Sequence, residues 1–215
     1  MTFLEAVNDV LARLREDSVA SVTQTDYSAL IGKFVNDAKR RVEDAYNWSS
    51  LNQTIVLPTV SGTHSYSLTG SGQRFKVSLV INHTNYGEMR NVSYAWMNSQ
   101  RYLGNPTNSS PYLYAFNGVD ASGDTKVDVY PTPDSVYSLR FDLTIPQADL
   151  TTGSTVILAP YAPIVQGAYA MALAERGEDQ GLASSEAANI YRNTLSDSIA
   201  IEASRHCEND CWSAV

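Results

Sequence analysis

The chain changes its hydrophobic period twice. Apolar residues recur at helical spacing over residues 1 to about 50, alternate at strand spacing through roughly 90 residues, and return to helical spacing from Ala159. A helix gathers its apolar side chains on one stripe and a strand on one face, so the two periods constrain element type before anything else does. The pattern predicts an α+β fold: a helical bundle formed by N- and C-terminal helices, with an antiparallel β region inserted between them. The expected division is residues 1–50 helical, 51–158 β-rich, 159–206 helices completing the bundle, and 207–215 a flexible tail.

Phe3, Leu4, Val7, Val10, Leu11 and Leu14 form the stripe of a first helix. Thr25 or Asp26 caps a second, whose side-chain oxygen satisfies a free N–H. Leu30, Ile31, Phe34, Val35, Ala38, Val42 and Ala45 face inward there. Lys33, Asp37, Lys39, Arg40, Arg41, Glu43 and Asp44 are expected in water, and Trp48 over the top of the core. Strands are expected at 54–57, 64–68 and 75–82, the last with Phe75, Val77, Leu79 and Ile81 on one face and residues 88–92 as its partner. A short helix over 93–103 ends at Gly104. Strands at 112–116, 126–130 and 135–143 follow, with Lys126 and Asp128 opposite Val127 and Val129, and Pro131 and Pro133 fixing the turn between the last two. Helices at 164–176 and 180–205, separated by Gly177, close the series.

Charge narrows the function classes. The chain carries 15 Lys plus Arg against 23 Asp plus Glu, a net charge of −8, where a duplex-gripping protein would show a basic patch. The excess acid falls mostly in residues 151–215, and an acidic surface repels nucleic acid, which suits a smooth channel. The first five residues lack the basic and apolar regions of a signal peptide, and no apolar run approaches the ~18 residues of a membrane span. Cys207 and Cys211 stand beside a single His206; zinc needs four good ligands, so they read as reduced thiols and no metal is expected. Gly-x-Ser-x-Gly, phosphate-loop, dinucleotide and His-Glu-x-x-His patterns are all missing, so no catalytic residue, no enzyme activity and no cofactor are expected. Asp120, Asp124 and Asp128 read as turn chemistry. Tyrosine is abundant, 13 against 5 Phe, and Tyr86, Tyr102 and Tyr112 in loops are interface candidates.

Three pieces carry a family likeness: Tyr46-Asn47-Trp48 closing the first helical pair; Val129-Tyr130-Pro131-Thr132-Pro133-Asp134 followed by Tyr137-Ser138-Leu139-Arg140-Phe141-Asp142-Leu143; and the helix 164–176 followed by Gly177-Glu178-Asp179 and a second helix containing Tyr191-Arg192. In this order the chain resembles the head-to-tail adaptor (connector) proteins of tailed bacteriophages, including the tail tubular A type of podoviruses. The resemblance implies a virion structural protein, made in the host cytoplasm and placed in the neck. There it forms a ring, typically of twelve subunits, docked under the portal protein, with the tail tube or nozzle below. Double-stranded DNA passes through the centre without sequence-specific binding, and no membrane is involved. Mapped onto this chain, Cys207, Cys211, Trp212 and Val215 would meet the portal. Gly70, Asn85, Tyr86 and Asp120 would meet the tail or neighbouring subunits, and Glu175, Glu178, Asp179, Glu186 and Asp197 would line the channel. The alternatives are another neck or tail part such as a tail terminator, a glycan-binding module using the tyrosine-rich β region, and a glycan hydrolase with two carboxylates that leave no sequence signature.

Overall fold

The computed structural model describes residues 1–104, 107–177 and 181–205. Among them, five α-helices run in the order α1 (Phe3–Arg13), α2 (Asp26–Ala45), α3 (Tyr94–Leu103), α4 (Tyr161–Arg176) and α5 (Leu182–Ala203). The strands are β1 (Asn52–Pro58), β2 (Ser65–Ser67), β3 (Lys76–Asn82), β4 (Gly87–Glu88), β5 (Arg90–Asn91), β6 (Leu113–Val119), β7 (Thr125–Tyr130) and β8 (Ser138–Thr144). The chain divides into two compact units, residues 1–51 with 147–215, and residues 52–146.

In the helical unit, α1 starts on a reciprocal cap. The Thr2 hydroxyl accepts from the Glu5 N–H at 3.3 Å, and the Glu5 carboxylate accepts from the Thr2 N–H at 2.8 Å. Thr25 caps α2 in the same way, exchanging bonds of 3.0 Å with Ser28. Phe3, Val7, Val10 and Leu11 of α1 join Ile31, Val35, Ala38 and Val42 of α2 and Ile164, Val165, Ala168 and Ala172 of α4 in one core, with Trp48 buried in it. Trp48 keeps its indole satisfied by donating to the Val42 carbonyl at 2.7 Å. Pro160 and Pro163 occupy the start of α4, where a missing N–H leaves no intrahelical bond unmade. Gly177 stops the helix at φ 63°, its N–H donating to the Leu173 carbonyl at 3.1 Å. α4 packs against α1, α2 and α5. Gly167 permits this approach, since a Cβ there would lie 3.2 Å from both the Ala38 Cβ and the Tyr191 ring.

Lys39 and Glu43 are not in water. Both side chains are fully buried, 3.3 Å apart, because residues 147–150 lie over that face of α2. The Lys39 ammonium donates to the carbonyls of Gln147 at 2.6 Å and Ala148 at 3.2 Å, and Glu43 accepts from the Gln147 N–H at 3.2 Å. Helical periodicity cannot register a covering segment supplied a hundred positions later in the chain.

The β unit consists of two four-stranded sheets, ordered β1-β8-β3-β4 and β2-β7-β6-β5. Leu57, Val80, Leu139, Phe141 and Leu143 from the first meet Leu68, Tyr114, Val127 and Val129 from the second in a common core, the arrangement of a sandwich. The alternation in β8 is as the sequence predicts: Leu139, Phe141 and Leu143 are buried and Arg140 is exposed.

Four expectations are corrected here. In β3 the register shifts between Val77 and Leu79, so Leu79 pairs with Asp142 and is 37% exposed while Val80 and Asn82 are buried: one extra residue carries the later side chains to the other face, and Val77, before the shift, is also 37% exposed. Residues 88–92 are not one partner strand: β4 pairs antiparallel with β3, whereas β5 pairs parallel with β6 in the other sheet. The region is therefore antiparallel-rich and not wholly antiparallel. Third, β7 and β8 lie in different sheets, so the segment with Pro131 and Pro133 is a crossover and not a hairpin turn; its Tyr130–Pro131 peptide is cis. Fourth, Asp128 is buried beneath α3, which lies on the outer face of the second sheet. There Met97 packs on Leu113 and Ala115, and the Arg101 guanidinium reaches Asp128 at 3.2 Å.

Candidate functional site

The loops singled out in the sequence collect at opposite ends of the β6–β7 hairpin, whose register runs from Leu113↔Tyr130 to Val119↔Thr125. At the turn end, the Asp120 carboxylate accepts from the N–H groups of Ser122 at 2.8 Å and Asp124 at 3.0 Å. Asp124 in turn accepts from the N–H groups of Gly72 at 2.9 Å and Gly70 at 3.1 Å. Gly70 and Asp120 are thus brought into one loop cluster, with Asp124 as the joint. The Ser67 hydroxyl, aided by backbone N–H groups, holds the Asp120 carboxyl below its ordinary value.

At the other end, Asn82 donates to the Ser110 hydroxyl at 3.0 Å and to the Pro111 carbonyl at 3.1 Å. Asn85 donates to the same Ser110 hydroxyl. This ties the loop after β3 to the segment leading into β6. Tyr86 stands at φ 53°, 87% exposed, with its ring edge against His83 at 5.9 Å. Beyond Ser110, Tyr112 meets Tyr130 at 6.5 Å and Tyr130 meets Trp96 at 6.2 Å, all edge-to-face. Tyr112 and Trp96 remain substantially exposed, as do Tyr102 and Leu103 at the end of α3. Asn85 is thus tied to Ser110, two residues before Tyr112, which stands in a row with Trp96 and Tyr130. The sequence offered no signal for these two, because the contact depends on how α3 lies on the sheet.

Arg101 fastens this surface from beneath. Its guanidinium donates to Asp128 and, at 3.2 Å, to the Val129 carbonyl, while Asn117 also donates to Asp128 at 3.4 Å. The Arg101 Nε is buried with no partner. Nearby, burial and then the Arg101 charge push His64 below the ordinary imidazole value, against the opposing pull of Asp128.

In the helical unit, Glu175, Glu186 and Asp197 are exposed. Glu186 and Asp197 lie on one stripe of α5 with Leu182, Ile190 and Ile201, all exposed aliphatics, so that surface mixes acid with hydrocarbon. Glu178, Asp179, Cys207, Cys211, Trp212 and Val215 lie outside the described residues. Among the described residues, there is no group of three or more His, Cys, Asp or Glu that would hold a metal, and no helix is long and apolar enough to cross a membrane.

The described surfaces are aromatic or mixed acidic–aliphatic, and of the loop acids Asp120 and Asp124 are spent on turn hydrogen bonds. The family model of the SU10 adaptor protein matches residues 1–208, and the chain belongs to that family. Membership gives it the structural role of a phage adaptor, a component of the virion. No curated protein matches it.

Proposed function

We propose that this chain is the head-to-tail adaptor subunit of a ring seated between the portal and the tail tube or nozzle, with a central channel for DNA. The observation that carries the reading is the family match over residues 1–208. The helical unit, read as a bundle, supplies the ring body. The two loop clusters of the β unit, Gly70 with Asp120 and Asn85 with Tyr86, supply contacts to the tail or to neighbouring subunits. The exposure of Gly70, Asn85 and Tyr86 and the hydrogen bonds that hold Gly70, Asp120 and Asn85 support this assignment, since contact residues held in place lose little freedom on binding. Exposed acids at Glu175, Glu186 and Asp197, with Glu178 and Asp179, face the DNA and let it slide by repulsion. Cys207, Cys211, Trp212 and Val215 meet the portal. A ring of twelve and the tail tubular A type complete the reading.

Negative-stain microscopy of the pure protein, alone and mixed with the portal protein of the same genome, tests it. A ring, or an added layer on the portal with matching symmetry, is the expected result. A monomer that ignores the portal would overturn it.

A further inference from the structure

Among the described residues, β1 and β4 end one sheet of the β unit and β2 and β5 end the other. β4 and β5 are two residues long and β2 three, as protected edges commonly are. β1 differs. It runs seven residues, Asn52-Gln53-Thr54-Ile55-Val56-Leu57-Pro58, in unbroken register with β8 and without a charge. Lysines, bulges and inward charges, the usual guards of an edge, are missing from it.

The ladder decides which groups face out. The Thr59 N–H donates to the Tyr137 carbonyl at 2.9 Å, on the β8 side. On the far side of β8, the Ser138 carbonyl accepts from the His83 N–H at 2.9 Å. Bonding direction alternates along a strand, so Gln53, Ile55 and Leu57 bond β8 while Asn52, Thr54, Val56 and Pro58 turn their backbone outward. Thr54 and Val56 are exposed, Val56 at 59%, and Ile55 lies half-buried on the core side.

We propose that β1 pairs antiparallel with β1 of a second copy of this chain, about a two-fold axis through Ile55. This register overlaps all seven residues and matches donors to acceptors. Thr54 exchanges both backbone bonds with Val56 of the second copy, and the Asn52 N–H meets the carbonyl of its Pro58. Pro58 lacks an N–H, but it falls at the rim, where one bond per strand is forgone. On the core face the two Ile55 side chains meet at the axis and cover one another. On the outer face Thr54 lies beside Val56, a β-branched pair. With no charge on either strand, nothing along the edge repels the second copy. One strand pair is at the small end of specific interfaces, so the dimer depends on concentration. The pairing does not rest on the adaptor reading. An isologous contact closes on itself and propagates no ring, so a missing ring and a missing pair are separate results.

The test is disulfide trapping in the full chain carrying Cys207→Ser and Cys211→Ser. Opposite residues of a non-hydrogen-bonded pair stand about 4.5 Å apart at Cα, within disulfide range. Ile55→Cys is therefore expected to give a linked dimer under mild oxidation. Gln53→Cys is expected to link far more slowly, because the two copies of position 53 lie about 14 Å apart. Gln53 is the more exposed side chain, so random encounter would favour it instead. Adding Val56→Pro to the Ile55→Cys chain removes an outward N–H, leaves the β8 ladder whole, and is expected to slow linking about tenfold. Val56→Lys keeps every backbone bond and should also slow linking, by a repulsion that salt relieves. Ile55→Cys linking no faster than Gln53→Cys would overturn the proposal, as would linking indifferent to Val56→Lys.

Discussion

Lys39 Nζ stands 3.3 Å from Glu43 Oε1, one turn apart on α2, and neither side chain touches solvent. A buried pair of this kind contributes little over a hydrocarbon replacement, yet removing one partner strands a charge. Lys39→Met is expected to destabilise the helical unit by about 3–5 kcal/mol, and Lys39→Met combined with Glu43→Leu to recover most of that loss. Urea unfolding of the two variants checks it; equal losses in both would show that the pair acts through something other than charge.

The Arg101–Asp128 pair gives a local prediction. Arg101→Met leaves Asp128 buried with only Asn117 to bond it and is expected to cost about 3 kcal/mol. The cost should fall on the attachment of α3: hydrogen exchange should accelerate in residues 94–103 more than in β8, which lies in the other sheet.

Gly167 sets a separation. Gly167→Val would drive a branched side chain into Ala38 and Tyr191, and a loss of about 1–3 kcal/mol is expected from overpacking. The Tm should fall, and Tyr191→Ala in the same chain should restore part of it by vacating the space.

His64 makes part of the stability pH-dependent. Burial and the Arg101 charge depress its folded value below the ordinary 6.5, so the proton binds better to the unfolded chain. Its contribution is therefore complete above about pH 6.5 and is lost as pH falls through the depressed folded value. Unfolding midpoints measured between pH 7 and 5 should decline, and His64→Gln should flatten the decline.

Tyr86 and Tyr112 are exposed and carry no core packing, so alanine at either is expected to change stability by less than about 0.5 kcal/mol. On the adaptor reading the double variant should still bind portal and lose tail attachment, scored by pull-down of each partner.

Much of the fold was legible because local rules decide it. Thr25 at the start of α2, the buried run Leu139, Phe141 and Leu143, and Gly177 after α4 each follow from capping, alternation or backbone freedom alone. The misreadings share one cause, a partner distant in sequence. Lys39 and Glu43 needed residues 147–148, and Asp128 needed Arg101 from α3. The bulge in β3 needed β8, and β5 needed β6. The candidate site divides the same way. Asn85, Tyr86, Gly70 and Asp120 were legible as turns, whereas the row Tyr112–Tyr130–Trp96 exists only once α3 is laid on the sheet.

In β1 and β8, Asn52 faces Thr144, whose hydroxyl donates to the Asn52 side chain at 2.9 Å. The chain thus enters and leaves the β unit through neighbouring strands. In evolutionary terms residues 52–146 are a cassette: recombination at this pair of adjacent strands can lengthen, trim or replace the insert while residues 1–51 and 147 onward keep their own core.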